Sequence, residues 1–255
     1  MTEQISIPST EGAVLEAHLA RPGVGGGGGL ASVLLLHGFP SGAVAASDLA
    51  NDLPELADRI ATEMGWTALS LRFRGCGSST GDFSLAGWVD DVHAGLDHLR
   101  GLAPTRPVFV CGFGTGGAVG LVAASTDEHV SGVAVCGSPA DFDDWASRPE
   151  RLLAHAHEIG VIKTAAYPPD FVAWKKQLAQ IRATLGAEKY SPRDLAVLHG
   201  SEDELVPQLD ARMVAEAHGA AELRVIQGAG HQLRHDPRAL AILLGWLERT
   251  RNALE

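Results

Sequence analysis

The strongest constraint on the fold is an alternation of short apolar runs with longer helical patterns that starts after residue 30. The runs "ASVLLL", "TALSL", "PVFVC" and "VSGVAVC" have the length of buried strands, and helical patterns over 47–64, 87–100 and 115–124 separate them. Continuous apolar runs of this kind are typical of strands covered on both faces. Since strand–helix–strand units join parallel strands through right-handed crossovers, we expect a parallel sheet with helices on both faces.

Two segments depart from this alternation. The opening "ISIPSTEGAVLEAHLARP" predicts two antiparallel strands around a turn at residues 10–12. Residues 140–190 contain no convincing strand, and Pro168 and Pro169 separate two helical stretches there. The alternation then returns, with strands at 195–199 and 222–227 and helices at 208–218 and 237–250.

These elements predict one domain with one insertion. Residues 1–139 and 191–255 are expected to form an α/β core, and residues 140–190 a helical lid. A chain of 255 residues is within the range that α/β folds reach as a single domain. Its apolar fraction of 45% is sufficient for a full hydrophobic core.

Charge and cysteine content limit the partners and the compartment. The formal charge is −11 and no Lys/Arg-rich block occurs, which argues against nucleic acid and anionic membranes as partners. The start has no signal-peptide pattern, and no apolar run has membrane-spanning length. Cys76, Cys111 and Cys136 have no metal-ligand spacing and are expected to be free thiols. We therefore predict a cytoplasmic protein that takes a small-molecule ligand or substrate and no cofactor, with a protein partner left open.

A glycine-rich turn joins one predicted strand to the next predicted helix in "VFVCGFGTGG". Its spacing matches G-x-S-x-G, the sharp turn that carries a nucleophilic serine in one large enzyme class. Gly112 and Gly116 keep the outer glycines, and Gly114 occupies the centre. A shifted register would put Phe113 where glycine is required. The alternatives are a glycine-rich turn without catalytic ancestry and a phosphate-binding loop, which the dinucleotide pattern G-x-G-x-x-G supports only weakly.

Two other loops also follow predicted strands. Asp203 lies in "HGSEDELVP" and His231 in "GAGHQL". Because the carboxyl ends of parallel strands share one edge of the sheet, Gly114, Asp203 and His231 are expected to meet there. Their chain order is that of a nucleophile, an acid and a histidine, although Glu202 and Glu204 flank the acid. His231 and His235 have the spacing of a metal-binding pair, but no third ligand is evident, so we predict no metal site.

Taken together, these motifs resemble the α/β-hydrolase superfamily, in particular its esterase and lipase-like branch. "LLLHGFP" looks like the oxyanion loop of that family, and "RFRGCGSSTGDF" looks like the segment after its next strand. "GSEDELVP" and "GAGH" look like its acid and histidine loops. The resemblance covers nearly all of the chain outside 140–190. It implies the α/β-hydrolase fold, with a mostly parallel eight-stranded sheet and a lid after the sixth strand, and esterase, lipase or peptidase chemistry.

The same resemblance implies roles for individual residues. Asp203 takes the position of the acid and His231 that of the base. The backbone N–H groups of Phe39 and Thr115 take the positions of the oxyanion-hole donors.

The nucleophile position is occupied by Gly114, which has no side chain. Acyl transfer through a covalent intermediate needs a side-chain oxygen or sulfur that a base activates. Thr115 and Cys111 carry such atoms, but either would have to lie within hydrogen-bond reach of His231.

Three hypotheses about function follow. The first is a pseudohydrolase that binds a small, largely apolar ligand under the lid, with contacts from Phe39, Phe113 and Trp145. The second is an enzyme in which the Asp203–His231 dyad acts as general base on water or substrate without an acyl-enzyme. The third is a serine esterase that carries an engineered Ser→Gly change.

Overall fold

The computed structural model of the chain describes residues 1–23, 29–40 and 52–254. The strands are β1 (Thr2–Pro8), β2 (Val14–Ala20), β3 (Ser32–Leu36), β4 (Thr67–Leu71), β5 (Val108–Phe113), β6 (Val130–Cys136), β7 (Asp194–Gly200) and β8 (Glu222–Ile226). They form one eight-stranded sheet in the order β1-β2-β4-β3-β5-β6-β7-β8. The pairs β1–β2 and β2–β4 are antiparallel and the other five pairs are parallel. The predicted sheet, mostly parallel with an antiparallel opening, is confirmed.

The helices of the described residues are α1 (Asp52–Glu63), α2 (Leu85–Leu102), α3 (Thr115–Ala124), α4 (Asp143–Ser147), α5 (Pro149–Glu158), α6 (Phe171–Gln180), α7 (Ala183–Tyr190), α8 (Gln208–His218) and α9 (Pro237–Asn252). A 3₁₀ turn, Leu233–His235, precedes the last of them. The bounds of α3 and α8 are those predicted. The helix predicted over 47–64 is described only from Asp52, since 47–51 lie outside the described residues. Across these ranges, no helix is long and apolar enough to cross a lipid bilayer.

Helices cover both faces of the sheet because successive strand residues point to opposite sides. On β3, Leu34 and Leu36 belong to one buried cluster, whereas Val33 and Leu35 belong to the other. Helices α1 and α9 supply apolar side chains to the second cluster, and α2, α3, α7 and α8 supply them to the first. Both sheet faces are therefore buried, as the continuous apolar runs predict.

The segment from 140 to 190 consists of the four helices α4 to α7 and contains no strand. Aromatic contacts fasten it to the core. The Trp145 ring of α4 lies 5.1 Å from the ring of Phe39 and 6.0 Å from that of Phe83. The indole N–H of Trp174 donates to the backbone oxygen of Phe83 at 3.2 Å. The insertion therefore packs beside the loop that follows β3.

Candidate active site

The turn between β5 and α3 has an unusual backbone conformation at its centre. Gly114 has φ 55° and ψ −130°, and Thr115 is the first residue of α3. This region is rarely adopted by residues with a side chain. The first N–H groups of a helix have no partner within the helix. The turn therefore presents the N–H of Thr115 at the positive end of the α3 dipole.

Close packing requires the glycines on either side of this turn. A β-carbon at Gly112 would lie 2.4 Å from the α-carbon of Gly117. A β-carbon at Gly116 would lie 2.2 Å from the backbone oxygen of His37. These separations are shorter than van der Waals contact, so the strand and the helix can approach only where side chains are absent. At Gly114 itself an added β-carbon would meet its neighbours only at ordinary van der Waals distances, the shortest being 3.5 Å.

Asp203 and His231 form a hydrogen-bonded pair. Nδ1 of His231 lies 2.9 Å from Oδ2 of Asp203, whose side chain has no exposed surface. The other carboxylate oxygen accepts the backbone N–H groups of Leu205 and Val206, each at 2.9 Å. Since a carboxylate can only accept, the proton of the pair is carried by Nδ1, and Nε2 of the neutral ring keeps its lone pair.

The lone pair on Nε2 is directed towards Gly114. A β-carbon at Gly114 would lie 3.6 Å from Nε2 of His231 and 3.5 Å from the α-carbon of Gly38, both ordinary contacts. A hydroxyl on such a β-carbon would come within hydrogen-bond reach of Nε2. The structure therefore brings together Gly114, Asp203 and His231, the three positions that the sequence pattern singles out.

The loop after β3 is held by a histidine that the sequence analysis did not single out. Nδ1–H of His37 donates to the backbone oxygen of Gly38 at 2.7 Å, and Nε2 accepts the N–H of Phe73 at 3.1 Å. Burial lowers the pKa of His37 to about 4, so the ring is neutral at pH 7. A β-carbon at Gly38 would lie 3.7 Å from the backbone nitrogen of Thr115. His37 thus places the loop that carries Phe39 beside the start of α3.

A second histidine missed by the sequence analysis supports the acid loop. His199 on β7 is fully buried, and its Nε2 lies 3.0 Å from the backbone oxygen of Val206. The same Nε2 is 3.6 Å from Oδ2 of Asp203. His199 therefore supports the turn of residues 203–206 from the buried side. The only sequence signal for it is a histidine in an otherwise apolar strand.

These groups open into a cavity of about 370 Å³ at the carboxyl edge of the sheet. Its walls combine site residues, apolar side chains and four carboxylates: Gly38, Phe39, Gly114, Thr115, Pro139, Asp141, Phe142, Asp143, Asp144, Trp145, Leu205, Val206, Pro207, Asp210 and His231. Arg182 pairs with Asp141 at 3.4 Å and with Asp143 at 2.6 Å. Burial raises the pKa of Asp210. The cavity wall is thus more polar than the sequence analysis expected for a site that binds a largely apolar ligand.

Two residues considered for the site lie elsewhere. Phe113 is 5% exposed and packs in the core cluster of α1 and α9, and it is not part of the cavity wall. The physical reason is strand alternation, because Phe113 has the same parity on β5 as Phe109 and Cys111, which point to that core. Cys111 is fully buried, and burial raises the pKa of its thiol well above the usual value. It therefore stays protonated and cannot serve as nucleophile.

The paired histidines of the last loop do not come together. His231 bonds to Asp203, whereas Nε2 of His235 lies 3.2 Å from Oδ2 of Asp52 on α1. Within the described ranges, no group of three or more His, Cys, Asp or Glu side chains could hold a metal ion.

A parallel sheet with a sharp strand–helix elbow, followed by an acid after β7 and a histidine after β8, defines a class of α/β proteins with the site at the carboxyl edge. The chain belongs to the α/β hydrolase family, whose model matches residues 33–243. The family resemblance seen in the sequence is thereby confirmed.

Solved structures agree on the fold. An esterase of Pyrococcus furiosus is 18% identical, with 98% of this chain and 92% of that chain covered and a TM-score of 0.70. The protein Est1E of Butyrivibrio proteoclasticus, in a structure with ferulic acid bound, is 18% identical, with coverage of 98% and 97% and a TM-score of 0.68. A serine hydrolase without a lid, from Xanthomonas campestris, is 20% identical, with coverage of 99% and 94% and a TM-score of 0.64. No curated protein sequence matches significantly.

Proposed function

We propose that this α/β hydrolase is a pseudohydrolase with respect to the family's serine reaction, and that it binds a small molecule in the cavity beside His231. The observation that carries the proposal is that Gly114 stands at the centre of the strand–helix turn, next to His231. A β-carbon added to Gly114 would lie 3.6 Å from Nε2 of His231. Without a side-chain oxygen there, no acyl-serine forms. Loss of one triad member removes several orders of magnitude of rate.

The ligand has an apolar body and at least one polar group that donates hydrogen bonds. Phe39, Phe142 and Trp145 supply the apolar and aromatic wall, and the ring centroid of Trp145 lies 5.1 Å from that of each of the other two. Asp141 and Asp210 on the same wall accept hydrogen bonds. Helices α4 to α7 act as the lid over this cavity in the proposal. Ester-type ligands are the first to test, because the similar structures include esterases.

A second candidate function is favoured by the intact pair of Asp203 and His231. Oδ2 of the buried Asp203 lies 2.9 Å from Nδ1 of His231 and fixes the tautomer of that ring. A protein that only binds a ligand has no need of such a pair. In this candidate, His231 removes a proton from water or from the substrate, and the N–H groups of Phe39 and Thr115 stabilise the developing oxyanion. Neither role requires a metal or a cofactor.

The decisive experiment treats the protein and its Gly114→Ser and Gly114→Ala variants with a fluorophosphonate and records intact masses. The reagent reports an activated nucleophile. We expect an adduct on residue 114 in the serine variant only, because the proposal takes the N–H groups of Phe39 and Thr115 as oxyanion donors, His231 as base and Asp203 as acid. The alanine variant is the matched control, since its β-carbon causes the same backbone strain but carries no hydroxyl. Labelling of the unchanged protein at a serine, threonine or cysteine would refute the proposal, and the labelled peptide would identify that nucleophile. A label on His231 would leave the proposed loss of serine chemistry standing.

The second candidate has its own readout. Hydrolysis of an ester by the unchanged protein that disappears in His231→Gln supports general-base catalysis. Ligand binding in the cavity without any His231-dependent turnover contradicts it and leaves the pseudohydrolase proposal standing.

A further inference from the structure

His231 presents its free ring nitrogen to the cavity with no side chain of residue 114 in front of it. Both Gly114 and His231 line the cavity wall, and 26% of the histidine side chain is exposed. The bond from Nδ1–H to Asp203 at 2.9 Å fixes the tautomer in which Nε2 carries a lone pair. In a protein with a serine at 114, the hydroxyl would occupy the space that this lone pair faces. Here a ligand carbonyl can enter it.

We propose that His231 is itself a nucleophile, and that this chain transfers acyl groups from aryl esters and thioesters through an acyl-imidazole at Nε2. Histidine is among the side chains that form covalent intermediates in enzymes. The proposal rests on the same cavity and dyad as the proposed function, but it makes Nε2 the attacking atom where the second candidate has water. It adds an activity and restricts the substrate class to acyl groups with good leaving groups.

The reaction balances without any redox partner. The Nε2 lone pair forms a bond to the carbonyl carbon, and the carbonyl π electrons move to the oxygen, which the N–H groups of Phe39 and Thr115 stabilise. The intermediate collapses, the carbon–oxygen or carbon–sulfur bond breaks, and the aryloxide or thiolate leaves with the electron pair. Asp203 neutralises the acylated ring and can accept its Nδ1 proton. Water then adds to the acyl-imidazole, and a carboxylic acid is released with one proton of the water left on Nε2. That proton passes through solvent to the departed aryloxide or thiolate, and Nδ1 recovers any proton that Asp203 had accepted, which restores the lone pair on Nε2.

The leaving group decides between the two roles of His231. Imidazole is a better nucleophile than water, but its tetrahedral adduct returns to reactants when the other leaving group is strongly basic. A weakly basic aryloxide or thiolate departs before imidazole does, so attack by Nε2 is productive. An alkyl ester has an alkoxide leaving group and is therefore acted on only by base-assisted attack of water. This contrast provides an internal control.

The test mixes the unchanged protein with p-nitrophenyl acetate, follows nitrophenolate release, and quenches in acid for intact-mass and peptide analysis. We expect a burst of nitrophenolate that matches the protein concentration and an acetyl group on the peptide that contains His231. Hydroxylamine should remove that acetyl group. Acetylation at His231 should be roughly 100-fold faster than at other histidines, since a single oxyanion-hole donor contributes about 10²–10³ in rate. Ethyl acetate should give no adduct.

Matched variants separate the outcomes. His235→Ala removes a histidine in the same loop that is bonded to Asp52 and should leave the burst unchanged. His231→Gln should abolish burst and adduct. Gly114→Ala should also abolish them, because its β-carbon would lie 3.6 Å from Nε2 and fill the space of the ligand carbonyl. This variant keeps the dyad in case the glutamine variant folds poorly.

Three results overturn the inference: a burst that survives both variants, an adduct confined to another residue, or no adduct at all. Turnover that depends on His231 but gives no adduct overturns only the inference and supports general-base catalysis. The proposed loss of serine chemistry is judged separately by the fluorophosphonate experiment, so the two failures can be told apart.

Discussion

Replacing Gly114 by alanine should cost stability through the backbone alone. The residue has φ 55° and ψ −130°, and a side chain in such sparsely populated regions costs about 1–3 kcal/mol. The added β-carbon adds no steric term, because its nearest neighbours would be 3.5 Å and 3.6 Å away. We therefore expect Gly114→Ala to lower the free energy of unfolding by about 1–3 kcal/mol, and Gly114→Ser to do the same.

The magnitude is calibrated by three other glycines, all measured by urea denaturation with equal m-values. Gly12 has φ 84° and open surroundings, so its alanine variant should lose a similar amount through strain alone. Gly101 lies in α2 with open surroundings and no positive φ, so alanine there should raise stability by about 0.5–1 kcal/mol. Gly116→Ala should lose about 3 kcal/mol or more, because its β-carbon would overlap the backbone oxygen of His37.

Two outcomes would refute this account of the elbow. A Gly114→Ala variant as stable as Gly101→Ala would mean that the turn relaxes to an unstrained conformation. A loss as large as that of Gly116→Ala would mean that the space before His231 is not open. Either result would remove the geometric basis for restoring a nucleophile at this position.

Two further predictions concern charge. In the Gly114→Ser background, Asp203→Asn should slow fluorophosphonate labelling about 10⁴-fold by disturbing the histidine tautomer, as in serine proteases. Glu202→Gln is the control and should leave the labelling rate unchanged. Equal rates in the two variants would show that Asp203 is not the acid. Burial lowers the pKa of His37 to about 4 from 6.5, so between these pH values the unfolded chain binds more protons than the folded chain. The free energy of unfolding should therefore fall as the pH drops from 6.5 to 4, by roughly 3 kcal/mol from this residue. Urea titrations of His37→Gln, which keeps a donor and an acceptor, should show a pH-dependent loss that is smaller by that amount, and an unchanged loss would contradict the assignment.

Much of the fold was predictable because the apolar patterns report burial directly. Helix α3 has the predicted bounds 115–124 because a glycine turn precedes it and a polar Ser125-Thr126 pair follows it. The two sheet faces could not be assigned from apolar runs, because a strand buried on both sides shows no polar alternation. The misplacement of Phe113 follows from this, since only its parity relative to Phe109 and Cys111 shows which core it joins.

The site was predictable where chain order carries information and not where packing decides. Gly114, Asp203 and His231 each follow a strand of the parallel sheet, so topology alone brings them to one edge. His37 and His199 follow no such rule, because their roles depend on hydrogen bonds to the backbone of Gly38, Phe73 and Val206 that only the fold reveals. The carboxylates of the cavity wall were not foreseen either, since α4, the residue Asp141 before it and α8 contribute them from distant parts of the chain.

The persistence of the elbow in the absence of a nucleophile has a structural cause. The turn is imposed by contacts at Gly112 and Gly116, where strand and helix backbones leave no room for a β-carbon, and not by the residue between them. Those contacts place the N–H of Thr115, and the bond to Asp203 places Nε2 of His231, whatever residue stands at 114. Glycine at this position avoids the backbone strain and supplies no side-chain oxygen, while Thr115 and His231 keep their places. His231, held by Asp203 and 26% exposed at the cavity, is therefore the side chain on which the proposed reactivity depends.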